Sequence, residues 1–305
     1  PVARHSHRSF KPHRNPMTPM PGRRAAVLGH PIAHSLSPTL HRAAYLALGL
    51  VNWTYDAVEV DEASLPGFVA GLDGSWAGLS LTMPLKAAIL PLLDHVEPLA
   101  GVVGAANTVL VQGSGAGRVL VGANTDVHGI VAALREGGVT RVATAVVLGA
   151  GATAASALAA LAQLGCTDPT VLVRSLGRTG ALRRAAHRMG VEPAFGLLGT
   201  AVATMPGADV VISTLPGHAA DAVAAELERA ERAAATSFGL LLDVAYEPRP
   251  TPLGVAWAQA GGPVVAGQVM LLHQAAEQVR LMTGLAAPVE AMRAALQVSL
   301  QPADE

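Results

Sequence analysis

The chain has 305 residues, 51% of them hydrophobic and 14% charged, with 21 Lys+Arg against 22 Asp+Glu for a formal net charge of −1. So much apolar material at so little charge excludes a disordered chain, and the near-neutral balance offers no field for nucleic acid. A single cysteine, Cys166, excludes an intramolecular disulfide and a cysteine-based zinc site.

The length suits about two domains. Residues 1–22 mix cations, histidines and prolines without an acid or an apolar period, and read as a disordered leader. With no signal-peptide pattern, the expected compartment is the cytoplasm. The uncharged run 142–167 is too rich in glycine, alanine and small polar residues for a lipid-facing helix, so no membrane partner is expected.

After the leader, short β-rich runs alternate with helical ones. Residues 25–29 predict a strand, and Ser37-Pro38 opens a helix with Ser37 as N-cap, ending near Gly49. Strand 52–60, helix 62–71, strand 76–81 and helix 84–93 follow, then a hairpin of 107–111 with 118–122 and a helix over 127–136. A second series runs strand 144–149, helix 153–164, strand 170–173, helix 179–189, strand 208–213, helix 219–232 and strands 240–244 and 263–266. Helices 268–283 and 288–300 close the chain. Alternating strands and helices, several of the strands continuously apolar, predict parallel sheets covered on both faces: two α/β domains with a cleft between them.

Gly149, Gly151 and Ala154 stand at G-x-G-x-x-A spacing directly after a strand, in the turn that includes Ala150 and Ala152. Such a turn brings backbone close to a pyrophosphate at a helix N-terminus. The end of the next strand carries Arg174 and Ser175, with Arg178 just beyond, and no acid between Asp168 and Glu192. An acid would suit a ribose 2′-hydroxyl, whereas guanidinium suits a 2′-phosphate, so the expected cofactor is NADP(H). Arg183, Arg184 and Arg188 read as a solvated helix face.

The first half supplies the polar clusters. Ser35 and Ser37 precede a helix N-terminus, a favourable place for an anion. Thr82 ends a strand, and Lys86, one of only two lysines beside 19 arginines, lies on the next helical turn, against the helix polarity. Asn107, Asn124 and Asp126 sit at junctions where open α/β sheets bind ligands. His30, His34 and His41 lack the spacing of a zinc site, and no metal is expected.

Nine motifs in order resemble the shikimate dehydrogenase family: S-x-S-P at 35–38, T-x-P-x-K at 82–86, GA-x-NT at 104–108, NTD at 124–126, the GAG turn, Arg174-Ser175, D-x-x-Y at 243–246, PTPL at 250–253 and G-x-x-M-L-x-x-Q at 267–274. The resemblance covers nearly the whole chain after the leader. It implies NADPH-dependent, reversible reduction of 3-dehydroshikimate to shikimate, with a substrate domain of 23–125 plus 267–305 and a Rossmann-like NADP domain of 126–266.

Ser35 and Ser37 would then hold the substrate carboxylate, and Thr82, Asn107, Tyr246 and Gln274 would line the pocket. Lys86 and Asp126 would form the catalytic pair, since lysine can give and regain a proton that arginine keeps. The glycine turn, Arg174, Ser175, Arg178, Ser213 and Thr214 would bind NADP, with Gly267 and Met270 beside the nicotinamide. The chain departs from the family in carrying Ser80 where Asn is frequent, which would leave one substrate hydrogen bond shorter in reach or mediated by water, and in Ala123 and Val173. A quinate/shikimate dehydrogenase on the same scaffold, a nucleotide-sensing regulator and a one-carbon-folate dehydrogenase stand as alternatives. A monomer and a homodimer fit the sequence equally.

Overall fold

The computed structural model describes residues 22–230 and 237–301. The expected leader (Gly22 apart) and the end of helix 219–232 lie outside the described residues.

Among the described residues, the first half builds one six-stranded sheet from β1 (Arg24–Gly29), β2 (Thr54–Glu59), β3 (Trp76–Leu81), β4 (His95–Val96), β5 (Thr108–Gln112) and β6 (Val119–Ala123). Their spatial order is β2-β1-β3-β5-β6-β4. β1 runs parallel to β2 and β3, and β5 runs antiparallel to both β3 and β6, so the expected hairpin is present. Helices α1 (Ser37–Ala47), α2 (Leu65–Ala70), α3 (Leu85–Ala88) and α4 (Pro98–Val103) connect these strands.

The chain then crosses through α5 (Asp126–Glu136) into a second sheet. Its strands and helices alternate: β7 (Ala145–Leu148), α6 (Ala152–Gln163), β8 (Thr170–Val173), α7 (Gly180–Met189), β9 (Ala194–Leu197), α8 (Ala201–Thr204), β10 (Val210–Ser213), α9 (Asp221–Arg229), β11 (Leu240–Asp243), α10 (Pro252–Gln259) and β12 (Val264–Ala266). The order β9-β8-β7-β10-β11-β12 is parallel throughout. Counted from β7 it reads 3-2-1-4-5-6, the doubly wound order that places a dinucleotide over the reversal between β7 and β10. Helices α11 (Gly267–Thr283) and α12 (Val289–Leu300) return to the first half.

Several boundaries differ from the sequence reading, each for a local reason. The expected helix 84–93 stops at Ala88 and passes into a short 3-10 turn around Pro91. Helix α1 begins at Ser37 rather than after it, so Leu36 holds the N-cap position and supplies no side-chain cap, while the Ser37 N–H donates to Ser35 Oγ at 3.3 Å. Five elements, β4, α4, β9, α8 and α10, were not foreseen from the sequence. β9 is a half-exposed edge strand, and α10 starts in a proline-rich stretch, with Thr251 Oγ1 accepting from Gly254 N.

Packing ties the two sheets together. Val127, Ile130, Val131 and Leu134 of α5 share a core with Val147, Ile212 and Leu242 of the second sheet. The opposite face of α5 lies against α11, where Gly129 is required: a Cβ there would sit 2.8 Å from Met270 O and 2.9 Å from Gln274 Cβ. Helix α11 also packs on α1 and α12 through Leu40, Ala44, Leu272, Val279, Met292 and Leu296. At the far end of α5, Glu136 is clamped by Arg293 (2.9 Å at both oxygens) and by His273 Nε2 (2.7 Å). The Arg293 hydrogen bonds hold the Glu136 carboxyl below its ordinary range. Helix α11 therefore couples both halves, and its inner face looks into the space between them.

Candidate active site

A cavity of about 300 Å³ opens between the two sheets. Ten residues singled out in the sequence line it: Ser35, Ser37, Thr82, Lys86, Asn107 and Asp126 from the first series and its crossing helix, and Tyr246, Gly267, Met270 and Gln274 from the second. Sequence reasoning considered His34 only as a metal ligand, gave Leu271 no role, and missed Thr153 and Gln278, all of which also line it. Gln278 stands four residues after Gln274, one turn along the same helix, and that spacing was the available signal.

At its centre Lys86 Nζ donates to Asp126 Oδ2 at 2.5 Å, with side-chain exposures of 15% and 5%. A pair so sheltered from water interacts far more strongly than a surface ion pair, and losing one partner strands the other. Asp126 is the first residue of α5, where the positive helix end favours a carboxylate. The polarity argument that singled out Lys86 does not survive, because α3 has only four residues; the ion pair is what distinguishes this lysine.

The other carboxylate oxygen is held as well: Asn107 Nδ2 donates to Asp126 Oδ1 at 2.8 Å and to Thr125 Oγ1 at 2.9 Å. Thr125 N donates to Asn107 Oδ1 at 2.7 Å, so both ends of that amide are fixed. The carboxylate is thus aimed by one neutral and one cationic donor, leaving Lys86 protons to face the cavity.

Ser80 does not act as its place in the sequence suggested. Its hydroxyl accepts from Tyr55 OH at 2.6 Å and donates to Gln278 Oε1 at 2.8 Å, so it keeps a lone pair but no proton for a ligand. Asn124 is buried and turned away, donating to Ala105 O and Ser156 Oγ at 2.9 and 3.2 Å. The three histidines separate: His30 pairs with Glu59 at 2.7 Å, His34 lines the cavity, and His41 stacks on Tyr55 in the interior. Burial raises the Tyr246 hydroxyl above its ordinary range, so that it stays a donor over the neutral pH range.

Apart from Gly267 and Met270, the expected nucleotide residues lie outside the cavity, along the C-terminal edge of the second sheet. Gly149 has φ +111°, and a Cβ there would lie 2.5 Å from Thr214 Oγ1, which itself donates to Leu148 O at 2.8 Å. Gly151 is extended at the start of α6, and a Cβ on it would meet nothing within 4 Å. Ala154 is fully buried beneath that turn, as close helix–sheet packing requires, while Ser213 is buried at the end of β10. Arg174, Ser175 and Arg178 are exposed just past β8. An open helix N-terminus beside two exposed guanidinium groups suits a phosphorylated dinucleotide. Val173, by contrast, points into the core.

The expected arginine face is exposed to solvent, and two of its members also make contacts. Arg183 stacks its guanidinium 3.9 Å from the centroid of Phe195 and donates to Thr179 Oγ1 at 3.0 Å. Arg188 Nε donates to Val102 O at 3.1 Å, reaching across to α4.

Comparison with known proteins places this geometry. A model described as the shikimate dehydrogenase substrate binding domain matches residues 27–109, and one described as the shikimate 5'-dehydrogenase C-terminal domain matches residues 269–297. A shikimate dehydrogenase (NADP(+)) from Rubrobacter xylanophilus is 36% identical over 277 residues, which cover 88% of this chain and 94% of the relative. The chain belongs to the shikimate dehydrogenase family. Two solved members bracket it. The shikimate dehydrogenase of Mycobacterium tuberculosis is 42% identical with a TM-score of 0.78, covering 90% of this chain and 99% of that one. The shikimate 5-dehydrogenase of Thermus thermophilus, solved in complex with NADP(H) and shikimate, is 33% identical with a TM-score of 0.74, covering 91% and 100%.

Proposed function

We propose that this family member catalyses the reversible, NADPH-dependent reduction of 3-dehydroshikimate to shikimate, with Lys86 and Asp126 as the proton-transfer pair. The observation that carries the reading is the 2.5 Å Lys86–Asp126 contact in a cavity that also receives Thr153 and Tyr246 from the nucleotide half. Ser35 and Ser37 would bind the substrate carboxylate; Thr82, Asn107, Tyr246 and Gln274 would line the pocket, several of them bonding the ring hydroxyls. Gly149, Ala150, Gly151, Ala152 and Ala154 would form the pyrophosphate turn, and Ser213 and Thr214 would flank it. Arg174, Ser175 and Arg178 would hold the 2′-phosphate, and Gly267 and Met270 would back the nicotinamide.

NADPH, when bound, supplies the hydride. A ketone that accepts a hydride becomes an alkoxide, and the protein must neutralise it as it forms. The Lys86 ammonium, desolvated and aimed by Asp126, gives that oxygen a proton; in the oxidative direction the resulting amine takes the proton back. Asp126 keeps the amine in place in both states. This chemistry needs a base that can lose its proton, which explains a lysine in a chain otherwise so given to arginine.

Residues 23–125 with 267–305 would act as the substrate domain and 126–266 as the NADP domain, in a cytoplasmic enzyme that works as a monomer or homodimer. No helix among the described residues is long and apolar enough to cross a membrane. The test is a spectrophotometric assay of purified protein with shikimate or quinate, crossed with NADP⁺ or NAD⁺. Turnover of shikimate with NADP⁺ well above the other three combinations supports the reading; a preference for quinate with NAD⁺, or no turnover, overturns it.

A further inference from the structure

Behind the cavity wall lies a buried polar network that the chemistry above does not use. His41 on α1 is fully buried, its ring stacked 3.9 Å from that of Tyr55. Gln278 on α11, 1% exposed, spends its whole amide on the wall. Its Nε2 donates to Thr108 Oγ1 at 3.1 Å and Asn107 O at 3.3 Å, and its Oε1 accepts from Ser80 Oγ at 2.8 Å and His41 Nε2 at 3.2 Å.

Each orientation follows from the last. The Asn107 carbonyl can only accept, so it fixes which end of Gln278 is nitrogen. The Gln278 oxygen can only accept, so the His41 proton sits on Nε2, leaving Nδ1 to accept from Tyr45 OH at 3.4 Å. Burial pushes His41 down to about 3, which keeps the ring neutral and this tautomer in place.

The chain continues towards the catalytic pair. Thr108 Oγ1 donates to Asn107 Oδ1 at 2.9 Å, and Asn107 Nδ2 donates to Asp126 Oδ1. From His41 through Gln278, Thr108 and Asn107 to Asp126, every link donates in the same direction, an arrangement in which hydrogen bonds strengthen one another. We propose that Gln278, backed by His41, is a positioning residue for the reaction: it fixes the Asn107 amide that aims Asp126, and through Asp126 it aims Lys86. The inference rests on the assignment of Lys86 and Asp126 as the proton-transfer pair.

Gln278→Met keeps the length and packing of the side chain while removing its amide. In the shikimate/NADP⁺ assay it should lower kcat by about 10- to 100-fold, the scale of a small misplacement of reacting groups. KM for shikimate should change by less than about threefold and the pH profile of kcat should shift, because the loss falls on the chemical step. His41→Phe should act in the same direction, and the double variant should be no worse than Gln278→Met alone, since both cut one chain. Parent-like kcat and pH profile with only a lower Tm would make Gln278 structural and overturn the proposal. If Gln278→Met does not fold, Ser80→Ala removes a single donor to its oxygen; a kcat lower by about threefold or more supports the proposal and an unchanged kcat overturns it. Lys86→Ala in the same assay separates the two layers: parent-like turnover there overturns the pair itself, whereas an inactive Lys86→Ala beside a parent-like Gln278→Met overturns only the role of Gln278.

Discussion

The two halves recognise their ligands by opposite means. Around the substrate cavity, Asn107, Asp126 and Gln278 are almost fully buried and held by other side chains, some nearly 200 residues away in sequence, as in the Ser80–Gln278 bond with its separation of 198. On the nucleotide edge, the proposed recognition would rest on a contiguous glycine turn and on arginines that stand exposed past β8. One site is built before its ligand arrives; the other offers backbone and exposed charge to a ligand that brings its own phosphates. Substitutions in the buried network around Lys86 and Asp126 should therefore damage the chemical step, and those on the nucleotide edge should change affinity alone.

The sharpest break of that contrast comes from Lys86→Ala, expected to lower kcat by roughly 10²- to 10⁴-fold with a much smaller change in KM. Lys86→Arg should be nearly as poor, because it keeps the charge and loses the exchangeable proton; steady-state kinetics of both variants provide the check. On the nucleotide side, Arg174→Ala should raise KM for NADPH by about 10-fold or more and leave KM for NADH almost unchanged, the loss of one charge-assisted hydrogen bond. Equal effects on the two cofactors would mean that Arg174 makes no 2′-phosphate contact. Ser35→Ala should raise KM for shikimate by a few-fold at nearly constant kcat, unless Ser35 serves only to accept from the Ser37 N–H.

The smallest effect is on stability. The buried ring of His41 titrates near 3 when folded and near 6.5 when unfolded, so the unfolded chain alone gains a proton as pH falls below about 6.5. Stability should drop on the order of 1–2 kcal/mol between pH 6.5 and 5, with half-buried His128 adding in the same direction. Glu136, held below its usual range by Arg293, contributes its loss only at lower pH, as its carboxyl protonates. Urea unfolding of His41→Phe should show a flatter dependence over that interval; an unchanged slope would assign the loss elsewhere.

What the sequence disclosed follows the same division. The nucleotide half was legible because its parts are local: apolar strands, a glycine turn and a strand end without an acid. Its omissions were β9, half exposed at a sheet edge, the four-residue α8, and α10, whose start is masked by prolines. In the substrate half, short motifs revealed the groups that face the cavity but not what holds them. The contact of His41 with Gln278 spans 237 residues, and no periodicity or spacing announces it. Ser80 shows the cost of that blindness: read alone it looked like a weaker substrate ligand, while in the fold its proton belongs to Gln278.

A cycle of Lys86→Ala, Asp126→Asn and the double variant, compared by kcat for shikimate oxidation with NADP⁺, asks whether the buried ion pair works as one proton-transferring unit. If it does, the double variant will be about as slow as Lys86→Ala alone, because the second change removes a partner whose task has already gone. Two losses that multiply would show that the residues act separately, and parent-like turnover of Lys86→Ala would remove the lysine from the chemistry.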